Sequence, residues 1–112
     1  MCDDLTKQEI LFFTVMQAYP EGISEDDIFD RMSDLADEMG WPSYLNAVPR
    51  PLSERLVEAR DRGMIAKYKP LRWRPARGVA AYARHLAARY LERPEQKQKI
   101  MDLLEDELHA AE

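Results

Sequence analysis

The sequence contains a single cysteine, Cys2, and no apolar run that approaches the roughly 18 to 20 residues of a membrane-spanning helix. One cysteine excludes a disulfide within the chain, and a thiolate metal site would need ligands from other chains. The opening residues, MCDDLTKQEI, also lack the basic and apolar regions of a secretory signal. We therefore expect a cytoplasmic protein that has no membrane partner.

Catalytic and phosphate-binding motifs are absent as well. The sequence has no Gly-rich phosphate loop, no G-x-S-x-G nucleophile motif and no H-E-x-x-H zinc motif. Its two histidines have no cysteine or carboxylate at the spacing of a zinc site. The carboxylates of residues 25–38 lack the alternation of a calcium loop, so a solvated helix face is favoured. We predict that the protein is not an enzyme and has neither a metal site nor a cofactor.

Basic residues are scarce outside one part of the chain. Residues 1–49 hold two Lys or Arg against eleven acids, residues 50–93 hold twelve against four, and residues 94–112 hold two against six. The net charge of −5 thus combines two acidic segments with one basic segment. Because clustered charge sets the local field, the basic segment is a candidate phosphate-binding surface. The alternative is that its arginines are simply solvated.

The basic segment contains a helix pattern followed by a hairpin pattern. Leu52, Leu56 and Ala59 have the spacing of the buried face of an amphipathic helix, and Gly63 follows as a helix stop. The next residues alternate along two short strands joined by a proline-containing turn. We predict aromatic contacts on one face of this hairpin and four cations on the other: Lys67, Lys69, Arg72 and Arg74.

The first part of the chain supplies the elements that commonly precede such a helix and hairpin. Thr6 and Glu9 have the spacing of a capping box for a helix over about residues 6 to 19. Ile23 is placed to add a short third strand to the hairpin. Ser24 caps a second helix, which Gly40 ends.

Two stretches carry a resemblance to a known superfamily: residues 5–28, LTKQEILFFTVMQAYPEGISEDDI, and residues 73–82, WRPARGVAAY. Together with the helix and hairpin between them, they resemble a winged helix-turn-helix domain of the PadR and MarR kind. The resemblance covers roughly residues 5–82. It implies a mainly α fold with a small β-hairpin wing (α+β), a winged helix-turn-helix domain over residues 1–77 and a C-terminal helical extension over residues 78–112.

Residues 41–51 depart from that pattern, because the usual turn before a recognition helix is only about 3 to 4 residues long. We expect the recognition helix to begin at Pro49 or Pro51, since proline suits the first helical position. Residues 43–48 are expected to form a separate short turn. Trp41, Tyr44 and Leu45 form either a hydrophobic plug or an exposed contact surface.

The resemblance implies a sequence-specific transcriptional regulator that binds double-stranded DNA. The recognition helix, about residues 49–62, would enter the major groove, and the wing, residues 64–77, would contact phosphates. Arg50 is expected to bind guanine, whereas Glu54 and Glu58 are unfavourable at a groove. The candidate DNA ligands are Arg50, Ser53 and Arg55 on the helix and Lys67, Lys69, Arg72, Arg74 and Arg77 on the wing.

A second class of function stays open on the same fold. The chain would then be a protein-interaction module, such as an accessory factor or a small phage- or plasmid-borne inhibitor. Its acidic residues 21–38 would contact a basic protein partner or imitate nucleic acid.

The C-terminal region has two amphipathic helix patterns separated by Pro94. We expect a homodimer that packs through these helices, because two apolar stripes exceed what a small three-helix body covers. The alternative is that the helices fold back on the first helix of the same chain. The candidate dimer contacts are Val79, Leu86, Tyr90, Ile100, Leu104 and Leu108.

Overall fold

The computed structural model describes the backbone of residues 2–110 and the side chains of residues 2–104. Over this part, the chain forms five α-helices and a small three-stranded antiparallel sheet, so the predicted α+β class is confirmed. A short 3₁₀ helix spans Ser43–Asn46. The other elements are α1 (Asp4–Gln17), β1 (Ile23–Ser24), α2 (Glu25–Met39), α3 (Leu52–Asp61), β2 (Ile65–Lys69), β3 (Arg72–Pro75), α4 (Val79–Tyr90) and α5 (Pro94–Ala110).

Helix α1 forms the centre of the molecule, and every residue from Ile10 to Gln17 is buried. It begins earlier than predicted, because Asp3 rather than Thr6 occupies the capping position. A side-chain oxygen of Asp3 accepts a hydrogen bond from the Thr6 backbone N–H at 2.8 Å. Asp caps a helix well, and the earlier cap lets Thr6 join the first turn. The predicted capping box is therefore wrong, and the predicted helix is displaced by about two residues.

Both ends of α2 follow the predicted chemistry. The Ser24 hydroxyl accepts a hydrogen bond from the Asp27 backbone N–H at 3.2 Å. Gly40 ends the helix with a φ of 74°, a left-handed conformation that glycine adopts without a steric penalty. These two predictions are confirmed.

The residues between α2 and α3 are partly buried in the core and partly exposed to solvent. Trp41 and Leu45 are buried in the main core, whereas the Tyr44 side chain is 52% exposed. The 3₁₀ helix confirms the predicted separate turn. Helix α3 then begins at Leu52, with Pro51 in the capping position just outside it.

The sheet has the order β1-β3-β2, and the prediction that Ile23 pairs with the hairpin is confirmed. Trp73 on the central strand lies between Ile23 and Lys67. The predicted separation of aromatic and cationic faces is wrong. Lys67 shares the face of its cross-strand partner Trp73, and Lys69 and Arg74 lie over the Tyr68 ring.

Tyr68 also packs against the loop that precedes β1. Gly22 in this loop has a φ of 115°, and a Cβ atom at this position would overlap the Tyr68 ring. Only glycine fits this backbone conformation and this close approach. The ring therefore closes the space between the hairpin and the end of α1.

Helices α4 and α5 pack back onto α1 within one chain, which confirms the alternative to a dimer contact. Four of the predicted dimer residues (Val79, Leu86, Ile100 and Leu104) are at most 5% exposed in this core. Their assignment to a dimer interface is corrected, because their apolar surface is already covered. Tyr90 is 37% exposed, and the Leu108 side chain lies outside the described residues. None of the described helices is both long and apolar enough to cross a membrane.

Candidate nucleic-acid interface

A buried polar network fixes α3 against α1. The Arg55 side chain is 1% exposed, and its guanidinium donates to the side-chain oxygens of Gln8 at 2.7 Å and Glu9 at 3.1 Å. Burial lowers the pKa of Arg55, while the adjacent Glu9 carboxylate opposes that shift. Arg55 therefore presents no surface to a ligand, and its predicted role as a DNA ligand is corrected to that of a positioning residue.

Gln8 extends this network to Arg50, which lies two residues before α3. Its side-chain nitrogen donates to the Arg50 carbonyl at 2.6 Å, and its oxygen accepts from the Arg50 backbone N–H at 3.3 Å. The role of Gln8 was not predicted from the sequence. The sequence does carry one signal for this role. Gln8 lies four residues before Phe12, on the apolar face of α1, and an amide buried on that face needs polar partners.

The side chains of Arg50 and Arg62 are engaged with carboxylates of the same chain. Arg50 forms an ion pair with Glu58, and Arg62 lies 3.7 Å from Glu58 and 3.9 Å from Glu9. The Arg62 guanidinium also covers the Tyr82 ring at 5.0 Å. These half-exposed pairs contribute little stability, but they partly neutralise the cations beside α3.

The outward face of α3 is acidic. Ser53 is exposed near its beginning, and Val57 is 46% exposed near its middle. A shallow groove along this face is lined by three acids, one cation and two uncharged residues, namely Glu54, Glu58, Asp61, Arg62, Ser53 and Val57. Of the predicted helix ligands, Ser53 and Arg50 therefore lie at the surface, but in a region of mostly negative charge.

The hairpin and Arg77 just after it carry a cluster of five exposed cations. All five predicted ligands there are exposed, and none forms an ion pair with an acid in the described part of the chain. Aromatic rings support three of them. Lys67 lies 5.6 Å from the centre of the Trp73 ring, while Lys69 and Arg74 lie 5.8 Å and 5.0 Å from that of Tyr68. The full set is Lys67, Lys69, Arg72, Arg74 and Arg77.

The beginning of α2 borders this hairpin with acidic side chains. The Trp73 indole N–H donates to a Glu25 carboxylate oxygen at 2.9 Å, and the Glu25 backbone N–H donates to the Leu71 carbonyl at 3.0 Å. Asp26 and Asp27 follow on the exposed surface. The five exposed cations of residues 67–77 thus have acids of α2 beside them, and α3 carries further acids.

No group of three or more His, Cys, Asp or Glu residues in the described part of the chain is arranged to hold a metal ion. Comparison with known proteins adds no relative, because no family model matches the sequence and no curated protein or solved structure matches it significantly.

Proposed function

We propose that this chain is a winged-helix transcriptional regulator that binds double-stranded DNA chiefly through its hairpin. The observation that carries the proposal is the set of five exposed cations at residues 67–77, none of them paired with a described acid. When exposed cations contact DNA phosphates, they release the counterions condensed on the DNA, and this release is a main source of DNA affinity. The aromatic rings beneath Lys67 and Arg74 restrict these side chains before binding.

The role proposed for α3 is smaller than the resemblance implies. Of the predicted ligands, Ser53 at the beginning of α3 and Arg50 just before it are accessible, and Arg50 must first leave Glu58 to reach a base or phosphate. Exposed carboxylates on the same face repel the DNA backbone. Phosphate contacts by the wing therefore dominate the affinity, while sequence readout by α3 is weak.

The test measures binding to random duplex DNA at several salt concentrations for the native chain and the variant Arg72→Ala/Arg74→Ala. Each lost phosphate contact flattens the log–log salt dependence by about 0.9, so the double variant should flatten it by about 1.8. The matched control is Arg84→Ala/Arg89→Ala, which removes two exposed arginines from α4 instead. This control should retain the native slope.

Absence of binding at low salt would overturn the proposal, because the electrostatic attraction is strongest there. Equal flattening by both double variants would show attraction by total charge and not by the hairpin.

The acidic face of α3 favours a second candidate, a protein-interaction module. Val57 provides an exposed apolar centre, and Glu54 and Asp61 provide charge for a basic partner. The acids of α2 extend the negative surface. In this case the chain would compete with duplex DNA for a basic DNA-binding domain, and Glu54→Lys/Asp61→Lys would abolish the competition.

A further inference from the structure

The turn of the hairpin carries an exposed leucine. Leu71 follows Pro70 between β2 and β3, and its side chain is 61% exposed. This is the largest value among the large apolar side chains in the part of the chain that the structure describes. Single exposed apolar side chains are common on protein surfaces, so exposure alone gives Leu71 no role.

The backbone of Leu71 adopts a conformation that leucine disfavours. Its φ is 59°, and within the described residues no other residue apart from glycine has a positive φ. In the left-handed region the Cβ atom approaches the following carbonyl oxygen, so glycine or asparagine usually occupies such a position after proline. Either residue would also remove the exposed apolar surface. Leucine therefore benefits neither the turn nor solubility, and strained residues of this kind cluster at ligand-binding sites.

Backbone contacts with the end of β1 and the start of α2 hold this turn in place. The Leu71 carbonyl accepts a hydrogen bond from the Glu25 backbone N–H at 3.0 Å. The next residue, Arg72, pairs with Ser24 in the sheet. These contacts fix the backbone of the turn, while the Leu71 side chain stays exposed. The turn therefore holds an apolar side chain out from the protein on a fixed support.

Two cations flank the turn. Lys69 and Arg72 are cross-strand partners on either side of it, and both are exposed. Neither forms an ion pair with an acid among the described residues. The minor groove of duplex DNA is about 6 Å wide, and phosphates border it on both sides. Proteins that bind this groove insert apolar side chains, leucine among them, between stacked bases. The turn thus combines an apolar tip with a cation on each side, as such an insertion requires.

We propose that Leu71 is an apolar wedge, which the hairpin inserts from the minor groove between two base pairs of duplex DNA. The inserted side chain unstacks the DNA and bends it at that step, while Lys69 and Arg72 bind the phosphates on the two sides of the groove. This inference rests on the proposed DNA binding and adds how the hairpin deforms its ligand. Pyrimidine–purine steps such as TA unstack easily, so the wedge favours these steps without a hydrogen bond to a base.

The first experiment detects unstacking with 2-aminopurine, an adenine analogue whose fluorescence rises when it leaves the base stack. Each chain is added to saturation, at low salt, to duplexes that carry this base either at a TA step or within a run of adenines. The native chain should raise the fluorescence at the TA step. It should change the fluorescence in the adenine run much less, because such runs are stiff.

The second experiment changes the wedge without changing the charge. Leu71→Asn removes the apolar tip and tolerates a positive φ, so it should bind duplex DNA about tenfold less tightly at every salt concentration. Its log–log salt slope should remain native, because no cation is lost. Its thermal midpoint should be unchanged or higher, because asparagine suits the turn better. Bound at saturation, it should not raise the 2-aminopurine fluorescence at the TA step.

Two further variants serve as controls for Leu71→Asn. Leu71→Met keeps an apolar tip and should retain most of the rise in fluorescence. Leu5→Asn is the same substitution at an exposed leucine of α1, and it should bind and unstack DNA like the native chain.

The outcomes separate the wedge from DNA binding itself. If the native chain binds without raising the fluorescence at the TA step, or if Leu71→Asn raises it equally, the wedge is overturned and the proposed function stands. Absence of binding by the native chain at low salt would overturn both. A lower thermal midpoint for Leu71→Asn would also overturn the wedge, because it would show that the fold itself requires leucine in the turn.

Discussion

The Arg55 guanidinium lies 2.7 Å from the side-chain oxygen of Gln8, and both side chains are shielded from water. This contact joins α3 to α1 across 47 positions of sequence. An arginine that resembles a DNA ligand in sequence is thus part of the internal framework that holds α3 in place.

Replacing Arg55 with alanine should lower the free energy of unfolding by about 3 kcal/mol, because it breaks a buried charged network and leaves a cavity. Urea unfolding followed by tryptophan fluorescence would measure this loss. Arg60→Ala, an exposed substitution on the same helix, should change the stability by about 0.5 kcal/mol or less. Equal effects of the two variants would contradict the buried role of Arg55.

Removal of the Glu58 carboxylate should improve DNA binding. Glu58→Ala releases the paired Arg50, whereas Arg62 keeps its contacts with Glu9 and the Tyr82 ring. It also deletes one negative charge from the α3 face, so the salt slope should steepen by about one phosphate contact. Glu54→Ala is the matched control, because it deletes an exposed charge of the same helix without releasing Arg50. A steeper slope in both variants would mean that Arg50 makes no separate contribution.

The Trp73–Glu25 hydrogen bond should be measurable by a double-mutant cycle. Trp73→Phe retains most of the ring but loses the indole donor, so the free energy of unfolding should fall by about 1.5 kcal/mol or more. Glu25→Ala should then cost less in the Trp73→Phe background than in the native chain, by about 1 kcal/mol. Additive losses would show that the two side chains are not coupled.

The Asp3 cap should produce a pH-dependent part of the stability. Its pKa lies below the ordinary value of 3.8 because the carboxylate accepts a hydrogen bond from the Thr6 backbone N–H. A lowered folded-state pKa means that this contribution is complete above the ordinary value and disappears as pH falls through the folded-state value. The stability difference between the native chain and Asp3→Ala should therefore be present at about pH 6 and shrink toward about pH 2.

The control for this prediction is Asp3→Asn, which keeps an oxygen acceptor but does not titrate in this range. The difference in urea midpoint between the Asn and Ala variants should be the same at every pH. A pH-dependent difference between those two variants would show that another group is responsible.

Local chemistry made part of the fold predictable from sequence. Ser24 and Gly40 act within one turn of their own positions, and the cap and stop they predicted are present. The cap of α1 was harder, because Asp3 and Thr6 compete within three residues and both are good caps. Periodicity identified the apolar faces of α4 and α5. It does not determine whether such a face packs on the same chain or on a second copy.

Long-range pairing limited the prediction of the site. Arg55 and the hairpin arginines look alike in sequence, and only Gln8 and Glu9 on a distant helix distinguish the buried one. Similarly, the Thr14 hydroxyl and the Gln17 side-chain oxygen are buried without partners among the described residues, and their burial depends on how other helices pack beside α1. Neither fact follows from spacing along the chain.

The contact between Gly22 and Tyr68 restricts how this sequence can vary over generations. A side chain at position 22 would have to displace the Tyr68 ring and would also be strained by the φ of 115°. Displacing the ring removes the surface on which Lys69 and Arg74 lie. A substitution at position 22 therefore reaches the hairpin cations without touching them, because it leaves their side chains less restrained.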